Sequence, residues 1–151
     1  MTETPESTEK YDGFTAEERD AMKERAKELK AAARRPARSK KVDGLTDLLE
    51  KIAEMPDDDR AIAEGVHAVI MASGPDLEPR TWYGQPAYAK NGQVVCFFQS
   101  ASKFKTRYAT LGFNEAAQLD DGPMWATAFA IVEFTPAVEK QIAALVKKAL
   151  A

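Results

Sequence analysis

Residues 80–113 read Arg-Thr-Trp-Tyr-Gly-Gln-Pro-Ala-Tyr-Ala-Lys-Asn-Gly-Gln-Val-Val-Cys-Phe-Phe-Gln-Ser-Ala-Ser-Lys-Phe-Lys-Thr-Arg-Tyr-Ala-Thr-Leu-Gly-Phe. Asn91-Gly92 stands between two apolar runs, and a two-residue Asn-Gly loop favours the type I′ turn because both residues must take positive φ. The spacing therefore predicts antiparallel strands over 86–90 and 93–99. In the second strand Val94, Cys96 and Phe98 point one way and Val95 and Phe97 the other. Both faces are apolar, so the strand is expected to be central, covered on both sides or on one side and by a partner. A third strand is expected over roughly 105–111.

Around that third strand Lys103, Lys105 and Arg107 alternate with Phe104, Thr106 and Tyr108. Extended geometry would align the three cations as a basic ridge. A ridge of this kind suits an anionic ligand, and equally a solvated edge whose lysines block edge-to-edge pairing. Upstream, Gly84 and Pro86 permit a sharp turn or bulge, which would gather Trp82, Tyr83 and Tyr88. Rings with polar tips, joined by Gln85, line a ligand pocket or close one end of a core.

Working outward, amphipathic segments flank this region. A helix is expected over 14–35: Thr15 and Glu18 form a capping box with Phe14 as staple, and Pro36 stops it. Its apolar stripe is narrow (Met22, Ala26, Leu29, Ala33), so it should dock weakly on the domain or on a partner. Helices over 45–55 and 58–73 should form a hairpin, broken at Pro56 and ended by Gly74-Pro75. Residues 114–124 read as one helical turn followed by a loop, and 128–134 as a further strand. Thr135-Pro136 opens a last helix to Leu150. The fold class is thus α+β: an antiparallel sheet of about four to five strands, packed by an N-terminal helical hairpin and a C-terminal helix, with an extra N-terminal helical arm. The domain organisation read from composition is an acidic disordered tail (1–14), a helical arm and basic linker (15–43) and the α+β domain (44–151).

The chain has 151 residues, enough for one domain with its own core. Its net charge of −3 predicts no general attraction to nucleic acid or anionic membrane. Arg34, Arg35, Arg38, Lys40 and Lys41 make a local basic run, but without the interleaved aromatics of a nucleic-acid arm. A single cysteine, Cys96, excludes an internal disulfide and any cysteine-based zinc site. No apolar stretch is long enough to span a bilayer and the first residues are polar, so a cytoplasmic location is expected. Gly-rich phosphate loops, the His-Glu-x-x-His motif and the Gly-x-Ser-x-Gly elbow are absent. With His67 as the one histidine, most hydrolase constellations cannot be assembled, and a non-enzymatic role is expected.

Asp57-Asp58-Asp59 and Asp120-Asp121 suggest oxygen ligands for a cation. Consecutive helical residues fan out by about 100° each, so three neighbours do not converge on one ion. Acids at a helix start, and Asp-Asp-Gly-Pro as a turn, account for them as well.

The run 80–88 (Arg-Thr-Trp-Tyr-Gly-Gln-Pro-Ala-Tyr), followed by Val95-Cys-Phe-Phe, residues 103–113 and Asp120-Asp-Gly-Pro-Met-Trp, resembles the YdhG-like family, a family of unknown function. The resemblance covers about residues 44–150, and the helix around residues 18–26 looks like an arm seen in some members. It implies helices packed on an antiparallel sheet. Some relatives are described as frataxin-like intracellular iron chaperones, delivering iron for iron–sulfur cluster and haem assembly. That role implies carboxylate-rich surface sites, because hard cations take oxygen ligands. By chemistry alone the candidates are Asp57, Asp58, Asp120 and Asp121, with Glu17, Glu18 and Asp59. The leading expectation is a non-enzymatic binding protein that loads iron through surface carboxylates. The alternatives are a domain binding a small anionic molecule through Trp82, Tyr83, Gln85, Tyr88, Lys103, Lys105 and Arg107, or an adaptor that holds a protein partner on its N-terminal helix.

Overall fold

A computed structural model describes residues 14–34 and 40–151, the side chains of 40 and 41 excepted. The expected disordered tail, and Arg35 and Arg38 of the basic run, lie outside the described residues. In chain order the elements are α1 (Ala16–Arg34), α2 (Lys40–Ala53), α3 (Asp57–Ser73), β1 (Glu78–Trp82), β2 (Gln85–Lys90), β3 (Gln93–Gln99), α4 (Ala101–Phe104), β4 (Ala109–Phe113), β5 (Ala128–Ile131) and α5 (Pro136–Leu150). The strands form one sheet in the order β1-β2-β3-β4-β5, antiparallel throughout. The protein is α+β, as its hydrophobic patterning predicts.

Asn91 and Gly92 take φ of 52° and 81°, the two positive values that a tight reversal needs. A second two-residue reversal precedes it. Tyr83 (φ 54°) and Gly84 (φ 78°) return the chain from β1 to β2, pairing Trp82 with Gln85. β1 has no counterpart in the sequence reading. Glu78-Pro-Arg-Thr-Trp carries neither alternation nor a β-branched run, and only pairing with β2 makes it a strand. As an edge strand it tolerates Pro79.

Residues directly opposite each other in the ladders share a face. Tyr88, Cys96 and Phe113 line up on one side, and so do Phe98, Leu111 and Phe129. This face meets Leu48 and Ile52 of α2, Val66 and Ile70 of α3 and Ile142 and Val146 of α5 in a single core. Fully buried side chains such as Leu48, Ile70 and Leu111 contribute about 1.5–3 kcal/mol each. The opposite face carries Arg80, Ala87, Phe97, Gly112 and Ala128 in one row. The helices of the core leave this face open. Phe97 is half-buried over Gly112, while Ala128 and Ala130 are exposed. The core helices therefore cover one side of β3, and its other side faces a groove.

α1 begins with the expected capping box: Thr15 N–H donates to Glu18 Oε1 at 2.9 Å and Glu18 N–H to Thr15 Oγ1 at 3.0 Å. Its docking differs from the expectation. Met22 and Leu29 of the apolar stripe are 39% and 54% exposed, and within the helix Ala21 alone is buried. What it turns toward the domain is a line of glutamates, which meet N–H groups of the β1–β2 reversal and lysines of α2 and of the segment 103–105.

The third strand is also displaced. Residues 101–104 are a short helix, Lys105 caps it in the left-handed region (φ 54°), and β4 starts at Ala109. The alternation of cations and rings imitates a strand, but two capping interactions override it. Ser100 Oγ accepts from Lys103 N–H, and the buried Asp59 carboxylate accepts from Ala101 N–H (3.3 Å) and Ser102 N–H (3.1 Å). β5 ends at Ile131, short of the expected 134; Val132 is exposed and Phe134 turns back onto Gly65 of α3. No helix forms over 114–124, which is loop and turn, held to the C-terminal helix by Gln118 N–H donating to Ala149 O.

Candidate functional site

The N-terminal half of α1 runs beside the open face of the sheet, and a groove of about 560 Å³ lies between them. Trp82 from the end of β1, Tyr83 from the reversal, Phe97 from β3 and Phe104 from α4 supply rings; Phe14, Ala21 and Met22 supply the facing wall. Trp82 sits edge-on to Tyr83 with centroids 4.9 Å apart and tilted to Phe97 at 5.3 Å. These separations are those of mutually supporting rings. Phe14, Met22 and Tyr83 are each more than a third exposed, so the rings are not sealed in the core. Among the lining residues Glu18 alone is charged, with Gln85 and Gln99 as polar neighbours. Gln85 is held rigidly: its Oε1 accepts from Ser100 N–H and its Nε2 donates to Gly84 O, both at 2.8 Å.

On the other side of the Tyr83-Gly84 reversal lies a polar cradle. With both residues at positive φ, their successive N–H groups point outward together, as in an anion-binding nest. Glu28 of α1 fills it: its carboxylate accepts from Tyr83 N–H at 3.0 Å and Gly84 N–H at 2.8 Å. One turn earlier Glu24 lies between Lys51 Nζ (3.0 Å) and Lys103 Nζ (3.6 Å). Burial pushes the Glu24 carboxyl up, but the Lys51 hydrogen bond and the charges of both lysines overcome it and hold the carboxyl below its ordinary value. Burial likewise opposes the Lys51 ammonium, and Glu24 outweighs that effect and raises its pKa.

The residues singled out in the sequence are thus divided. Trp82, Tyr83 and Gln85 line the groove. Tyr88 does not: it is a core residue, its hydroxyl hydrogen-bonded to His67 Nδ1 at 2.8 Å. The expected basic ridge is not formed, because a helix and a left-handed cap replace the strand and send the three cations apart. Lys103 reaches Glu24, Lys105 pairs with Glu17 at 2.6 Å, and Arg107 lies over the Tyr108 ring at 5.3 Å. Asp57 pairs with Arg60 within its own helix turn, and Asp58 is exposed. Asp120 and Asp121 are exposed in the loop before Gly122. Among the described residues no group of three or more His, Cys, Asp or Glu is placed to hold a metal ion.

Sequence reasoning missed Phe14, Met22, Phe97 and Phe104 as groove residues, and Glu24, Glu28 and Lys51 in the cradle. The outward side of β3 was a signal for Phe97. Nothing in the order of residues ties α1 to the reversal more than fifty positions later. His67 and Cys96 take structural places. Burial lowers the His67 pKa and pushes the Cys96 thiol up to about 12. None of the described helices is long and apolar enough to cross a membrane. Comparison of the chain with protein-family models, with curated proteins and with solved structures found no match.

Proposed function

We propose that the protein is a non-enzymatic binding domain whose groove takes a planar, apolar small molecule, neutral or cationic, stacked against Trp82, Tyr83 and Phe97. The observation that carries this reading is the partial exposure of clustered rings around a volume suited to a small ligand, with carboxylate Glu18 as the sole charge among the described residues of its wall. A cation over such rings gains from their negative faces. None of the described residues of that wall is a cation, which disfavours an anionic ligand there. The iron delivery that the YdhG-like resemblance implies remains a separate proposal, and no observation of side-chain placement favours it over the groove.

The test uses the Trp125→Phe variant, so that Trp82 is the sole indole. Planar heteroaromatic compounds in matched neutral, cationic and anionic forms are titrated against its fluorescence. Saturable quenching by neutral or cationic members, weakened at least about tenfold in Phe97→Ala as expected for loss of one stacking partner, supports the proposal. Linear, unsaturated quenching by every member removes it. A parallel ferrous titration, read by calorimetry against magnesium, addresses iron.

A further inference from the structure

Glu24 and Glu28 stand at i and i+4 on α1 and present two carboxylates to one surface. Everything they touch is a donor: Lys51 Nζ, Lys103 Nζ, Tyr83 N–H and Gly84 N–H from the domain, and Arg25 Nη1 of α1 itself, 3.5 Å from Glu28 Oε1. The donors of the domain come from three places in the chain, namely α2, α4 and the β1–β2 reversal. The reversal carries a non-glycine residue, Tyr83, at φ 54°, a conformation that costs about 1–2 kcal/mol and aims its N–H at the cradle. Lys103 and Lys51 are only 20% and 29% exposed, and Lys51 has the exposed Glu54 carboxylate as a second partner at 3.7 Å. The receptor is thus built by the domain, while its anion is supplied by a helix that buries little else.

We propose that this cradle is a binding site for a small dianion, occupied in cis by α1 acting as a displaceable plug. The two carboxylates it mimics are one helical turn apart, about 5–6 Å between Cβ atoms. The ligand class is therefore a short, flexible dicarboxylate, or a carboxylate-phosphate of similar span. The site lies on the other side of the Tyr83-Gly84 reversal from the aromatic groove, and its donors are the same whatever the groove holds. Displacement requires the partly exposed ion pairs of Glu24 and the two hydrogen bonds accepted by Glu28 to open, while the apolar core of the domain stays intact.

The experiment compares the full-length chain with its Glu24→Gln/Glu28→Gln variant. Glutarate is the dianionic probe, inorganic phosphate a probe of one half of the site, and acetate at matched ionic strength the control. Binding is read from the amide shifts of Tyr83 and Gly84. The double variant should bind glutarate at least about tenfold more tightly than the wild type, since its internal competitor has lost its charge. Phosphate should bind more weakly than glutarate. Lys103→Met in the same background should remove binding. In the wild type, glutarate should speed hydrogen exchange in α1 and leave β2 and β3 unchanged. Equal affinities in the wild type and the double variant, or shifts reproduced by acetate, overturn the proposal. Should the double variant not fold, the wild-type exchange experiment decides alone: no acceleration in α1 beyond the acetate control overturns it.

Discussion

Gly44 offers a test in which two effects of known sign compete. It lies inside α2, where replacing glycine by alanine ordinarily stabilises a helix by about 1 kcal/mol. Here α2 crosses β1 so closely that a Cβ at residue 44 would overlap the Pro79 carbonyl oxygen, lie 3.5 Å from its carbon and 3.6 Å from Arg80 Cα. All three atoms are backbone, so no side chain can swing away. Relief requires α2 to lift from the sheet, loosening Leu48 and Ile52, which are 0% and 3% exposed. Overpacking of this kind costs about 1–3 kcal/mol, and more where backbone must move. Because the obstructing atoms are backbone, the upper part of that range, about 2–3 kcal/mol, applies, and subtracting the helix gain leaves Gly44→Ala destabilised by about 1–2 kcal/mol net. That corresponds to a fall in Tm of roughly 2–8 °C for a chain of this size. Gly65→Ala is the internal control. Its Cβ would meet the Phe134 ring at 2.5–2.7 Å, a half-buried side chain that can rotate, so its loss should be smaller. Thermal and urea unfolding of both variants measure the difference. An unchanged or raised Tm for Gly44→Ala would mean that α2 and β1 are not in backbone contact.

Three other outcomes follow from the buried and paired groups. His67 has a folded pKa below its ordinary 6.5 because burial disfavours the imidazolium. Its stabilising contribution is therefore complete above that value and is lost as pH falls from 6.5 through the lower folded value. Urea midpoints between about pH 7.5 and 5 should decline in the wild type and flatten in His67→Gln; parallel slopes would contradict the burial argument. The Cys96 thiol, fully buried and pushed up to about 12, should resist thiol reagents at neutral pH in the native protein and react on unfolding; prompt native labelling would mean the β3 face is open. Glu24 has its carboxyl held below 4.5, so its hold on Lys51 and Lys103 is present above that value and is lost as pH falls through the folded value. At low pH the Tyr83 and Gly84 amide shifts should move with α1, and about 1 M salt should produce the same movement by screening; insensitivity to both would show that α1 is held by packing instead.

Local signals made the centre of the fold legible. Asn91-Gly92 admits few alternatives to a tight reversal, Thr15 with Glu18 closes a capping box, and Thr135-Pro136 starts a helix whose Val138 N–H donates to the Thr135 hydroxyl at 3.2 Å. Such signals are complete within three or four residues. The errors fall where a distant group decides. Residues 103–108 have the alternation of a strand, yet Asp59, more than forty positions away, accepts the N–H groups that start α4. β1 has the composition of a loop, and β2 makes it a strand. In each case a long-range hydrogen bond outweighs the local pattern.

The same distinction explains the site. Trp82, Tyr83 and Gln85 lie within four residues of sequence, so a cluster of rings with a polar neighbour is legible from their order alone. The groove's other wall comes from α1, whose position rests on carboxylates rather than on its apolar stripe. Hydrophobic periodicity records which face is buried by apolar contact and is silent about a face held by charge. A helix docked through Glu17, Glu24 and Glu28 therefore looks, by its pattern, like one with nothing to bind. Its weak apolar hold suits a movable element, since ion pairs open to salt, protons or a competing anion while the core of the domain does not. Because α1 both walls the groove and fills the cradle, its departure would widen the first and empty the second in one motion. Ligand in either place would then bias the same helix, and the two sites should be coupled by equal and reciprocal factors in affinity.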